Sequence, residues 1–166
     1  IIGYLIGGNI LNDYYDYEID SINKPNSPLV SKFITLQFAY KLGLFFLILS
    51  FVLSLIFSGY AVLISLFTLI ILFVYTTKFK NFPLIGNVLI SLLVGLIFLF
   101  SELALTGQLL KSWPCFILSF ILNFCRELIK DIEDIKGDSI NNIKTFPVVF
   151  GVDRSKHLLV FLILLF

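Results

Sequence analysis

Residues 42–77 read LGLFFLILSFVLSLIFSGYAVLISLFTLIILFVYTT, thirty-six positions without one charged side chain. A helix needs about 20 apolar residues to cross the bilayer's hydrocarbon core, so the stretch is too long for one span and right for two. Ser58-Gly59 is the natural hairpin between them, because Gly tolerates tight turns. The run is continuously Leu, Ile and Phe, whereas barrel strands would alternate apolar and polar residues over about ten positions. Working outward, residues 81–101 are uncharged again and extend past Glu102 to Leu105, and residues 112–125 run on into a charged segment. This predicts four complete helices, at 36–57, 60–77, 84–105 and 113–134. Two shorter apolar runs, 1–12 and 158–166, bring the count to six. The expected fold is all-α, a polytopic transmembrane helical bundle. The chain has no Met, even at position 1, and the expectation is a single domain over 1–166, cut inside a helix at each end.

Composition agrees. Of 166 residues, 58% are hydrophobic and 14% charged, against about 45–50% and 25% in ordinary soluble domains. Mean hydropathy is +1.00. A soluble domain of this size would expose large apolar patches, so soluble, disordered, collagen-like and disulfide-scaffold classes are excluded. A net charge of +1 leaves no basic excess for nucleic acid. Cys115 and Cys125 read as free thiols in apolar surroundings. His157 stands alone as a helix-start residue near the membrane surface, and no secretory signal is visible.

Polar segments alternate with spans, which assigns sides. Eleven of the 12 basic residues fall on one face, Lys111 being the exception. That face is expected to be cytoplasmic. Ten of the 11 acids sit there too, with Glu102 the exception, and a positive-inside bias does not explain them.

The acids form two clusters. In Asn12-Asp13-Tyr14-Tyr15-Asp16-Tyr17-Glu18-Ile19-Asp20, a turn of about 100° per residue places Asn12, Asp16 and Asp20 within about 80° of helix face. In the segment from Arg126 to Asp138, Glu127, Asp131, Asp134 and Asp138 follow i, i+4, i+7, i+11. Like charges one turn apart repel, and near a bilayer desolvation adds to the cost, so such a site calls for cations. Oxygen donors without nearby His or Cys suit Mg²⁺ or Ca²⁺ rather than zinc. Two facing acidic helices would cradle a diphosphate–Mg²⁺ group at the membrane surface, while the apolar helices hold a lipid tail. Either cluster alone also reads as a solvated helix end; two with the same geometry on one face favour the site.

These motifs resemble the UbiA superfamily of intramembrane prenyltransferases. Its first motif, N-D-x-x-D-x-x-x-D, is matched by Asn12, Asp13, Asp16 and Asp20. Its second, D-x-x-x-D, is matched by Asp134 and Asp138, followed by Thr145-Phe146-Pro147. The resemblance covers the whole chain, from the family's second helix to the start of its seventh, out of nine. Asp16-Tyr17-Glu18-Ile19-Asp20 with Ile22-Asn23-Lys24-Pro25, and Arg126 through Asp134 with Gly137-Asp138, look like the archaeal-type ether-lipid members. Those members transfer geranylgeranyl from its diphosphate to geranylgeranylglyceryl phosphate.

The resemblance implies Mg²⁺ as cofactor. Asp16 and Asp20 would hold one ion, with Asn12 as neutral ligand or orienter, and Asp134 and Asp138 a second, supported by Asp131. Lys78, Lys80, Lys130 and Lys24 would contact diphosphate oxygens; Tyr75 precedes Lys78 and Lys80 at a spacing that leaves open which serves. Asp13 and Glu127 would meet substrate, Glu127 either tuning the acceptor or bonding Arg126 or Asn123. Tyr14, Tyr15 or Tyr17 would face the allylic cation or anchor at the interface. The implied partners are a polyprenyl diphosphate, a lipophilic acceptor and membrane lipid, with no nucleic acid and no obligate protein partner. The implied location is the plasma membrane, with the active site on its cytoplasmic face.

The chain departs from the family pattern at four places. Ser27 stands for an Arg of the first loop, Val30 and Lys32 for Pro and Gly, and Asn142 for a Gly after the second motif. An aromatic-acceptor prenyltransferase of quinone or chlorophyll synthesis shares much of the first motif and remains an alternative. A cation-binding transporter is the alternative from another class, although its carboxylates usually sit near mid-bilayer.

Overall fold

The computed structural model describes residues 1–75 and 82–164. Lys78 and Lys80 lie outside the described residues. Among those described, the chain is all-helical, running α1 (Ile2–Tyr15), α2 (Tyr17–Asn23), α3 (Leu36–Ser54), α4 (Gly59–Val74), α5 (Ile85–Thr106), α6 (Trp113–Glu133), α7 (Ile135–Ile140), α8 (Phe146–Phe150) and α9 (Val152–Leu164). The six longer helices fall where the apolar runs predicted them. The fold is a polytopic membrane helical bundle.

Local signals set the ends. Thr35 Oγ1 accepts from Phe38 N at 3.3 Å and caps α3. Ser58 does the same for α4 through Ala61 N at 3.5 Å, so the Ser58-Gly59 hairpin is as expected. Gly107, at φ 73°, closes α5 in a conformation that a Cβ would strain. Pro114 stands in the first turn of α6, where no N–H is missed.

Two helices, Leu36–Ser54 and Ile85–Thr106, are long and apolar enough to cross a membrane, and only 17% and 28% of their hydrophobic windows are buried. Phe45, Ile48 and Val52 on α3 and Leu63, Phe67 and Ile70 on α4 face outward, as lipid-facing residues would. Inside, the helices approach closely over small residues. A Cβ on Gly7 of α1 would stand 2.8 Å from the Gly43 carbonyl oxygen of α3, and one on Gly95 of α5 would stand 3.1 Å from the Phe116 carbonyl oxygen of α6. Such contacts are how membrane helices gain packing where apolar burial drives little. Buried Ser50, Ser91 and Ser155 each donate to the carbonyl four residues back, at 2.7, 2.5 and 3.0 Å, and so leave no orphan hydroxyl. Leu11, Leu47 and Leu72 join α1, α3 and α4, while Cys125, Leu128 and Leu159 join α6 and α9. Cys125 and Cys115 are free thiols.

The structure differs from the sequence expectation at both acidic clusters. Neither lies on one unbroken helix. α1 gives way to α2 at Asp16 (φ −90°, ψ 5°), and α6 to α7 at Asp134 (φ −86°, ψ 3°). Asp is a poor interior helix residue, and each break falls among like charges. Hydrogen bonding continues through both: Asp16 N to Asn12 O at 2.9 Å and Asp20 N to Asp16 O at 2.7 Å, then Asp134 N to Lys130 O at 2.9 Å and Asp138 N to Asp134 O at 3.0 Å. The four-residue facing of the carboxylates therefore survives two local bends. The short α8 was not anticipated.

Candidate active site

The two broken helices meet. α2 packs on α7, and a Cβ on Gly137 would collide with the Asn23 side chain, which would have to move to admit it. A polar pocket lies between them, lined by Asp16 and Asp20 from the first cluster and by Glu127, Asp131, Asp134 and Asp138 from the second. Lys24 and Lys130 are its cationic lining among the described residues. Asp16, Asp20 and Asp138 are buried. Among the described residues, six carboxylates face two ammonium groups, and buried carboxylates are costly unless compensated.

Asp16, Asp20, Asp131 and Asp138 have side-chain partners that hold them. Asn12 Nδ2 donates to Asp16 Oδ2 at 2.9 Å. Thr145 Oγ1 donates to Asp138 Oδ2 at 3.2 Å. Asn87 Nδ2 of α5 donates to Asp131 Oδ2 at 2.8 Å. Lys24 Nζ pairs with Asp20 Oδ1 at 3.3 Å. Burial pulls the Lys24 ammonium down, but Asp20, with Asp134 and Asp13, outweighs it and raises the group above the usual lysine range. It stays charged at neutral pH.

The donor set fits Mg²⁺. It is all oxygen, and Asn12 Oδ1 is buried and meets no donor among the described residues, which leaves a neutral oxygen available. Among the described residues no three acidic, His or Cys side chains are grouped to hold a metal ion by themselves. Mg²⁺ commonly takes one or two carboxylates and completes its shell with water and phosphate, which carboxylates presented from two facing elements allow.

A second, larger cavity of about 340 Å³ lies between α1, α4, α5 and α6, a volume typical of small-molecule sites. Its walls are mostly apolar, including Leu5, Leu72, Ile90, Leu93, Ile97 and Phe100. Tyr75, Glu127 and Lys130 line both spaces, so the charged pocket and the apolar cavity adjoin at those residues.

Of the residues expected from sequence, Asp16, Asp20, Lys24, Glu127, Lys130, Asp131, Asp134 and Asp138 line the polar pocket. Asn12 lines the apolar cavity and reaches the pocket through Asp16. Asp13 and Tyr15 line neither space. At 100° per residue they fall to either side of the Asn12–Asp16 face. Tyr15 packs edge-on against Tyr14, whose ring meets Tyr40 of α3 at a tilt of 45°. Glu127 pairs with Arg126.

Sequence reasoning missed Asn87 and the hydrogen bond from Thr145 to Asp138. An amide inside an otherwise apolar 21-residue stretch is the signal that would have found Asn87.

The UbiA prenyltransferase family matches residues 1–166. The chain is 35% identical over 155 residues to a digeranylgeranylglyceryl phosphate synthase of Thermococcus sibiricus, covering 91% of this chain and 54% of that protein. A solved structure of digeranylgeranylglyceryl phosphate synthase superposes with TM-score 0.73 at 36% identity, over 98% of this chain and 58% of the other. A UbiA homologue from Archaeoglobus fulgidus, bound to DMAPP and Mg²⁺, superposes with TM-score 0.79 at 23% identity, over 96% and 58%, and shares the fold. The chain thus spans about half the length of the curated relatives it matches.

Proposed function

The chain belongs to the UbiA prenyltransferase family, and on that footing we propose that it is part of one UbiA-like domain that transfers a geranylgeranyl group from its diphosphate to the free hydroxyl of geranylgeranylglyceryl phosphate. The observation that carries this reading is the meeting of two acidic helix breaks on one pocket, which adjoins an apolar cavity at Tyr75, Glu127 and Lys130. The relatives at about 35% identity support the acceptor.

Asp16 and Asp20 on one side and Asp134 and Asp138 on the other would hold Mg²⁺, with Asp131 and Asn12 in support. The bound ions would offset the charge on the leaving diphosphate. Lys24 and Lys130 add point charges toward the phosphate oxygens. The apolar cavity takes the prenyl tail and keeps water from the allylic carbon. When the allylic C–O bond breaks, the diphosphate leaves with the electron pair and C1 becomes cationic. Tyr75, at the junction, can present its ring to that cation. The acceptor oxygen then bonds to C1, and its proton passes to a carboxylate at the junction, where Glu127 stands. The gathering of Lys and Arg on the pocket's side of the chain supports a site on the cytoplasmic face of the plasma membrane.

The test is an assay of the full-length protein in membranes with labelled geranylgeranyl diphosphate, offering geranylgeranylglyceryl phosphate and 4-hydroxybenzoate in parallel. Label on the glyceryl phosphate is the expected result, and label on the aromatic acid alone would overturn the acceptor. Asp16→Asn and Asp134→Asn should each remove nearly all turnover with expression intact. EDTA should do the same; turnover that persists in EDTA would overturn the metal assignment.

A further inference from the structure

A phosphorylated acceptor brings a second anion to a site already crowded with carboxylates. The polar pocket, with six acids against Lys24 and Lys130 among the described residues, repels any phosphate that does not arrive with metal. The rim of the apolar cavity has a different character. Asn9, Asn12, Asn123, Arg126, Glu127 and Lys130 line it, giving three carboxamides, two cations and one acid. Arg126 lines this cavity and not the acidic pocket. Asn123, Arg126, Glu127 and Lys130 follow i, i+3, i+4, i+7, one stripe of α6 facing the cavity.

The Arg126 side chain is 70% exposed, while its partner Glu127 is 12% exposed. The guanidinium carries five N–H donors in a planar fork, and its Nη1 is engaged by Glu127. Glu127 therefore steadies the fork from within the protein and leaves further donors facing the cavity mouth. Paired donors of this shape match the oxygens of a phosphomonoester.

We propose that Arg126 binds the acceptor's own anionic headgroup at the mouth of the apolar cavity, with Glu127 as its positioning residue, so that the protein selects a phosphomonoester acceptor. The assignment rests on the prenyl-transfer reading above. It separates the two anions: the diphosphate goes with metal to the carboxylates, and the acceptor phosphate goes to Arg126. In a monoalkylglyceryl phosphate the phosphate and the free central hydroxyl sit on neighbouring carbons. Lys130 lies four residues along α6 from Arg126, a rise of about 6 Å. A phosphate on Arg126 thus keeps the hydroxyl close to the junction at Glu127 and Lys130, where the two spaces meet.

The experiment uses the full-length protein in lipid nanodiscs, as wild type, R126Q and R126K. Titration calorimetry with a monoalkylglyceryl phosphate, in EDTA and without donor, should show binding weakened at least tenfold in R126Q and less in R126K. The dephosphorylated monoalkylglycerol should bind wild type and R126Q alike. In turnover, R126Q should raise KM for the phosphorylated acceptor at least tenfold, with KM for the diphosphate donor within twofold of wild type. Unchanged binding of the phosphorylated lipid by R126Q, equal loss of the neutral lipid, or a raised donor KM would each overturn the assignment. Absence of prenyl transfer by the wild type would overturn the reading of the previous section, while the calorimetry would still decide this one.

Discussion

Replacing Asn87 by leucine tests whether the acidic pocket is tuned from α5, outside both acidic motifs. Asn87 is 8% exposed, and its Nδ2 donates to Asp131 Oδ2 at 2.8 Å. Asp131 shares the pocket with Glu127 and Asp138, so this neutral donor offsets repulsion without adding charge. Leucine has a similar branched outline, is somewhat larger, and has no donor. Loss of a hydrogen bond to a charged group costs about 1.5–3 kcal/mol, and each 1.4 kcal/mol is tenfold. Asp131 must then either stay ionised without its donor or take a proton, and both outcomes weaken its support of a divalent ion. The Mg²⁺ concentration for half-maximal prenyl transfer by the full-length N87L protein should rise between about 10- and 100-fold, the range found for outer-shell partners of metal ligands. The unfolding temperature controls for a general packing defect. N87D keeps the shape but sets one acceptor against another, so it should be worse than N87L at neutral pH. An unchanged Mg²⁺ requirement in N87L, or wild-type behaviour of N87D, would refute the reasoning.

Four further substitutions report on the scaffold. Gly7→Ala would press a methyl group to 2.8 Å from the Gly43 carbonyl oxygen; backbone cannot swing aside as a side chain can, so the helix pair should lose about 1–3 kcal/mol, seen as a lower unfolding temperature in detergent. Lys32 and Asn142 both hold left-handed backbone, at φ 60° and 57°, which costs an ordinary L-residue about 1–2 kcal/mol and Asn less. Lys32→Gly should therefore raise stability by about 0.5–1 kcal/mol after glycine's own entropy cost, while Asn142→Gly should change it little; equal shifts would contradict this account. Glu102 accepts from the backbone N–H groups of Leu110, Lys111 and Ser112 at 3.1, 2.8 and 3.0 Å and from Ser112 Oγ at 2.6 Å, so Glu102→Ala should speed amide hydrogen exchange across 110–112 several-fold without altering Mg²⁺ dependence.

The helices were legible because hydropathy over twenty residues is a strong signal, and four of the six came within a few residues of their expected bounds. The acidic faces were legible for the same reason of period, since the four-residue spacing of Asp16 with Asp20 and of Asp134 with Asp138 holds across both breaks. The breaks themselves were not legible. Each centres on an Asp with no Gly or Pro at the bend, and the bends follow from charge crowding and from the docking of α2 on α7, a contact between residues more than a hundred positions apart. Asn87 escaped notice for a related reason: its partner Asp131 is 44 positions away, and only packing of α5 on α6 brings them together.

The departures from the family pattern take on physical meaning once the backbone is seen. Lys32 and Asn142, the two positions where the chain replaces a family glycine, are two of its three non-glycine residues with positive φ among those described. The loops have therefore kept the glycine conformation while giving up the glycine, and the cost falls on stability rather than on loop shape. Ser27, which stands for an arginine, turns inward instead: its Oγ accepts from Val30 N at 3.3 Å, and Ser31 N bonds Ser27 O at 2.9 Å. That loop position has exchanged a cationic side chain for a turn-stabilising hydroxyl. A phosphate fork absent from the first loop must be supplied elsewhere if the acceptor is anionic. Arg126 of α6 is the described arginine that lines the cavity, and the binding measurement on R126Q tests whether it supplies that fork.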